Sequence, residues 1–232
     1  MTNSHPQGLS SGEPDRPMVH FVATSKLLSL QRQNASFWNM STSTTTLYRI
    51  VAECVIYNIA CLALFYPDLE FLSQFISWQD IESFFPKISS YRTSPFLGGR
   101  RDVYYLMFDV TRIARQDLSP EQRRRQVSRF TKRLSNIEDG VMSYYSDDVP
   151  TKVADLYGTK YKLHVLALRI FIAKLEDPTR CATSPEIAIV FQQSLILLQT
   201  KEIIEDLNPA MCWPLIIFAC AAATPDDFET LK

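Results

Sequence analysis

Apolar residues recur along this chain at helical spacing, in blocks separated by proline and polar punctuation. The clearest block covers 45–66, where Leu47, Ile50, Val51, Cys54, Val55, Ile59, Leu62 and Phe65 fall three or four positions apart. That spacing places them on one side of an α-helix and predicts a buried face. A helix over about 101–117 follows in the same way from Val103, Leu106, Met107, Val110, Ile113 and Ala114. A looser face of Phe21, Leu27, Leu28 and Leu30 marks a helix over about 21–36. Shorter, more broken stretches cover 68–77 and 78–91, and 89–99 reads as a loop punctuated by Pro95 and the Gly98-Gly99 pair.

Later helices announce where they begin. Ser119-Pro120-Glu121 and Ser184-Pro185-Glu186 each set a capping hydroxyl before proline at the first helical position, with an acid in the first turn. Asn208-Pro209 does so less fully, and the Ser/Thr tract 41–46 can cap the helix that follows it. Between two of these signals, Val149 to Glu176 forms one long helical stretch closed by Asp177-Pro178. The expected fold is all-α, an irregular multi-helix bundle or helical layer. A count of only 6 glycines agrees, since a sheet protein of this size needs more turn residues.

Residues 1–20 are rich in Ser, Pro, Gly and Asp without an apolar period and read as a flexible leader. Residues 21–232 read as one all-α domain. Thr224-Pro225-Asp226-Asp227 repeats the start signal, with acids where the helix dipole favours them, yet the sequence stops at Lys232. So short a helix is marginal alone, and the domain is expected to be truncated at its C-terminal end.

Charge changes the picture locally rather than globally. A net charge of -1 leaves no overall electrostatic footprint for nucleic acid or an anionic membrane. The most apolar run, Cys54 to Tyr66, is interrupted by Asn58 and falls short of a ~20-residue span, so a core helix is expected and no membrane contact. One segment departs from neutrality: Arg123, Arg124, Arg125, Arg129, Lys132 and Arg133 crowd together with acids only at its ends. Such a basic face serves as a nuclear-import signal or a phosphate contact, or it is a solvated outer face paired with acidic neighbours.

Catalytic chemistry finds few carriers. His164 stands on a helix without a second histidine, and G-x-S-x-G is absent. Gly98-Gly99-Arg100-Arg101 lacks both the P-loop pattern and G-x-G-x-x-G, and so reads as a loop opening the next helix. Asp147-Asp148 supplies two acids for magnesium, but Thr151 stands where a DDxxD motif needs its third, which disfavours a helical diphosphate enzyme. No catalytic residue, cofactor or metal is expected. Cys54, Cys61, Cys181, Cys212 and Cys220 are odd in number and without a C-x-x-C pair, so they read as small buried hydrophobes rather than a disulfide framework.

Three segments in order carry a resemblance. The first is Phe96-Leu97-Gly98, then Arg101-Asp102 and the helix Leu106 to Ala114. The second is Ala167-Leu168-Arg169-Ile170-Phe171, closed by Leu175 and Asp177-Pro178, with Pro185-Glu186-Ile187 opening the next helix. The third is Trp213-Pro214-Leu215-Ile216-Ile217-Phe218-Ala219-Cys220. Together they resemble the regulatory domain of fungal Zn₂Cys₆ (zinc binuclear cluster) transcription factors. Where that family tends to read Ala-Gly-Cys-Glu-Ala, this chain has Phe218, Ala219 and Ala221 in place of Ala, Gly and Glu, while Cys220 and Ala222 fit. Asp226-Asp227 matches the family's acid, and Phe228 takes the position of its arginine.

The resemblance implies an all-α regulatory domain, a nuclear setting and control of RNA polymerase II transcription, without an active site. Its implied partners are a coregulator or a second copy through helical surfaces, and a small-molecule inducer. DNA would be reached only through the family's zinc cluster. That cluster needs six closely spaced thiolates, and the 5 scattered cysteines of this chain cannot form it. The competing reading is a helical scaffold or adaptor unrelated to transcription.

Overall fold

In a computed structural model of the chain, the structure describes residues 16–33, 42–65, 78–85, 96–97, 101–144, 151–200, 203 and 209–231. Among them are nine α-helices and no strand. In chain order these are α1 (Arg16–Gln33), α2 (Thr42–Leu62), α3 (Trp78–Glu82), α4 (Asp102–Ala114), α5 (Pro120–Tyr144), α6 (Thr151–Glu176), α7 (Pro185–Leu198), α8 (Cys212–Ala221) and α9 (Pro225–Thr230). The fold is all-α, as expected. α1 begins at Arg16, inside the stretch read as leader, with Pro17 in its first turn where a missing N–H costs nothing. Residues 1–15 lie outside the described residues.

The axis of the fold is α6, against which α4, α5, α7 and α8 all pack. From Tyr161 to Leu168 every residue except Lys162 is buried. A helix enclosed on nearly all sides needs apolar residues on nearly all sides, which is why this stretch shows no clean stripe. α5 behaves oppositely: among its described side chains Val127, Phe130, Leu134 and Ile137 are the buried ones, and most of the others are polar. Ser119 and Gln122 cap it reciprocally. The Gln122 N–H donates to Ser119 Oγ at 3.3 Å, and the Ser119 N–H donates to Gln122 Oε1 at 2.9 Å. α8 starts after a 3₁₀ turn at Pro209–Met211, so the Asn208-Pro209 signal opens that turn rather than the helix itself.

α2 packs on α4, and α1 closes over α2 and α3. The buried apolar residues of α2, its seam, are Ala52, Val55, Ile56, Tyr57, Ile59 and Ala60, continued by Ala63 just past its end. This corrects the face read from the sequence in part: Val55 and Ile59 are buried as expected, and the other positions are not. Leu47 and Phe65 are 59% and 64% exposed, and Ile50, Val51, Cys54 and Leu62 are only half-buried. Alanines make the seam because they let two helix backbones approach closely, whereas a reading by side-chain size favours the larger residues beside them. By length and composition alone α2 could cross a membrane. Its packing against α1 and α4 and its fully buried Glu53 make it a core helix of this fold.

Aromatic edges tie the central helices together. Tyr57 of α2 meets Phe96 at 6.2 Å and Tyr104 of α4 at 5.9 Å, both edge-on, and Tyr104 meets His164 of α6 at 5.1 Å. Further along α6, Phe171 meets the fully buried Trp213 edge-on at 6.0 Å. Trp213 thus anchors the start of α8 in the core. Of the cysteines, Cys54 and Cys61 are half-buried and Cys181, Cys212 and Cys220 are exposed. The expectation that they are buried hydrophobes fails: Cys181 lies in the connection between α6 and α7, and for the helical cysteines spacing does not say which face looks inward.

Candidate functional site

The basic segment forms one stretch of α5, but its side chains leave the helix in several directions. Arg125, Arg129 and Lys132 follow one another at i, i+4 and i+7 and make a stripe opposite the buried face. Arg125 is paired with Glu121 one turn earlier at 2.5 Å, an exposed contact of small energetic value. Arg124 lies on a neighbouring line with Ser128, Thr131 and Ser135, beside a shallow polar groove of about 500 Å³ that reaches Glu176 on α6. Arg123 is half-buried near the helix start. Arg133 turns the other way and pairs with Asp109 of α4 at 2.5 Å, where both groups are about one-third exposed. It therefore belongs to the packing of α5 on α4. The outward cations are Arg124, Arg125, Arg129 and Lys132.

Two apolar surfaces lie around α6. The first is an open groove of about 540 Å³ between α6, α7 and the end of α5, floored by Tyr161, Val165 and Leu166 and walled by Ile196 and Leu197. Its rim carries an ion pair, Arg169 to Glu138 at 2.6 Å. Ile196 is 68% exposed, and Ile189 lies exposed two turns before it on α7. The second is a narrower cleft of about 470 Å³ where the ends of α2 and α4 meet α6 and α8. Neither was anticipated, since each exists only where residues distant in sequence converge.

The groups proposed for chemistry from sequence take structural places. His164 is buried, with Nδ1 2.8 Å from the Lys160 carbonyl oxygen, so that nitrogen carries the proton of the neutral ring. Burial pushes its pKa down to about 4, against the pull of the Lys160 and Ala210 carbonyls. Nε2 meets no partner at hydrogen-bond geometry. A neutral, enclosed imidazole has no route to a substrate proton. Arg101 is buried, pairs with Glu82 at 3.2 Å and lies 3.8 Å over the Phe85 ring, so it fastens α3 to the start of α4. Gly98, Gly99, Arg100, Asp147 and Asp148 lie outside the described residues. Among the described residues no group of three or more metal-ligating side chains converges.

One polar feature escaped the sequence reading altogether. Glu53, wholly buried on α2, accepts the main-chain N–H groups of Phe96 at 2.7 Å and Leu97 at 3.2 Å. An acid inside the apolar run Val51-Ala52-Glu53-Cys54-Val55 was the available signal.

Compared with known proteins, residues 7–231 match the fungal specific transcription factor domain. The chain belongs to that family. No curated protein and no solved structure matches the chain. As a fungal specific transcription factor domain the chain has a transcription-regulatory character, in a family that is generally non-enzymatic and nuclear. The three segments of the resemblance have physical places in this fold. Phe96-Leu97 is the turn tied to Glu53, Ala167 to Phe171 runs through the enclosed half of α6, and Trp213 to Cys220 is α8.

Proposed function

We propose that this chain is the regulatory domain of a nuclear transcription factor controlling RNA polymerase II transcription. It acts by binding a coregulator or a second copy of itself through helical surfaces, and it carries no catalysis of its own. The observation that carries this reading is the family match over 7–231, joined to an all-α fold whose polar interior residues hold the structure together. The groove along α6 and α7, with Ile189 and Ile196 exposed beside it, supplies an apolar surface suited to a partner helix. The outward cations Arg124, Arg125, Arg129 and Lys132 suit nuclear import or a polyanion contact. Reading of DNA belongs to a zinc cluster that the 5 cysteines here do not make.

The test is to join the whole chain to an unrelated DNA-binding module and measure transcript from a reporter bearing that module's site. A several-fold rise or fall relative to the module alone is expected, with the tagged chain in the nucleus. An unchanged reporter together with exclusion from the nucleus would sink the regulatory reading and favour a scaffold.

A further inference from the structure

The cleft between α2, α4, α6 and α8 is built differently from the open groove on α7. Its walls are apolar: Ile170 and Phe171 from α6, Ile216 and Ile217 from α8, and Leu64 from the end of α2. Two cations, Arg115 and Lys174, line it, and no acidic side chain does. Arg115 donates through Nη2 to the Leu64 carbonyl at 2.7 Å, and Lys174 donates to the Arg180 carbonyl. These bonds to neutral oxygens fix where the charges sit without neutralising them. Among the described residues neither cation takes part in an ion pair, although Arg112, Arg133, Arg169 and Arg180 stand on the same or adjoining elements and three of these four are paired. A guanidinium has five N–H donors and an ammonium three, so both retain donors for an anion. A volume of about 470 Å³ falls within the ordinary range for small-ligand sites, which are mostly apolar with a few placed polar groups.

We propose that this cleft binds a small amphiphilic carboxylate, its apolar body against Ile170, Phe171, Ile216 and Ile217 and its head between Arg115 and Lys174. The proposal deepens the regulatory reading, in which such a carboxylate is the inducer, but the binding itself does not depend on it. Occupation would bridge the ends of α2 and α4, already tied by the Arg115–Leu64 hydrogen bond, to α6 and α8.

Decanoate is the probe, titrated into the purified full chain by calorimetry below its aggregation concentration, with decanol as the neutral analogue. Saturable one-to-one binding of decanoate is expected, at least tenfold tighter than decanol. Lys174→Gln should weaken it by about tenfold, because one charge contact is lost. Ala114→Trp, at an exposed helix position on the rim, should abolish it while leaving the thermal transition in place. Equal affinity for decanoate and decanol, unsaturable uptake, or unchanged binding in both variants would overturn the site. The reporter assay reads the regulatory function separately, so binding without a reporter response would leave the cleft standing and remove only the inducer role.

Discussion

The buried Glu53 carboxylate on α2 holds the main-chain N–H groups of Phe96 and Leu97, 43 and 44 positions further along the chain. It satisfies two donors at a point where Leu97 is buried in the core and Phe96 meets Tyr57 edge-on. A turn without regular secondary structure is thereby given a fixed place against α2. Replacing Glu53 by Ala leaves both N–H groups without this acceptor, at an expected cost of about 3 kcal/mol, since each unsatisfied buried group costs roughly 1–3 kcal/mol. Glu53→Gln keeps one carbonyl oxygen and should cost clearly less. Urea unfolding of the two variants checks the order; equal losses would show that the carboxylate is not holding the turn.

The alanine seam of α2 makes a second prediction. Ala60→Leu inserts three heavy atoms into a fully buried position and should destabilise the fold by about 1–3 kcal/mol. Leu47→Ala removes an exposed side chain and should change stability by no more than about 0.5 kcal/mol. If the face read from residue size were the true one, these two effects would exchange places.

Arg133 and Asp109 join α5 to α4, whereas Arg125 and Glu121 lie on one exposed helix surface. A double-mutant cycle on the first pair should give a coupling of about 1 kcal/mol, and on the second no more than about 0.5 kcal/mol. Raising the salt concentration should shrink both, the exposed pair more completely. Coupling of the same size in both pairs would remove Arg133 from the packing role assigned to it.

His164 makes stability depend on pH with a definite sign. Its folded pKa, about 4, lies below the ordinary value of 6.5, so the unfolded chain binds the proton more readily. The stabilisation from keeping the ring neutral is complete above about pH 6.5 and is lost as the pH falls through that window toward 4. The full loss amounts to about 3 kcal/mol. His164→Gln should flatten the slope between pH 6.5 and 4 while leaving the carboxylate-driven loss at lower pH. Identical slopes in the two proteins would show that the imidazole is not the group responsible.

Much of the helical architecture was legible in advance, and the reasons are local. The caps at Ser119 and Thr224 answer to residues within one turn, and the Thr224 and Asp227 side chains do form the reciprocal box. The inner face of α4 was read correctly at Val103, Leu106, Met107, Val110 and Ile113; Ala114, the last in the reading, is exposed on the rim of the cleft. The basic residues could be found, but their directions could not, because Arg133 is drawn aside by an acid on another helix.

What the sequence determined by itself is therefore the all-α class, most helix starts, the family, and the lack of six clustered thiolates. These depend on spacing within a few residues or on the order of short segments. Tertiary structure alone decided which face of α2 is buried, which arginine leaves the basic surface, why Glu53 is tolerated inside, and where four helix ends leave an apolar cleft with two cations. Each of those is a relation between residues tens of positions apart, set by packing geometry and by which buried polar groups find partners, and no local periodicity carries it.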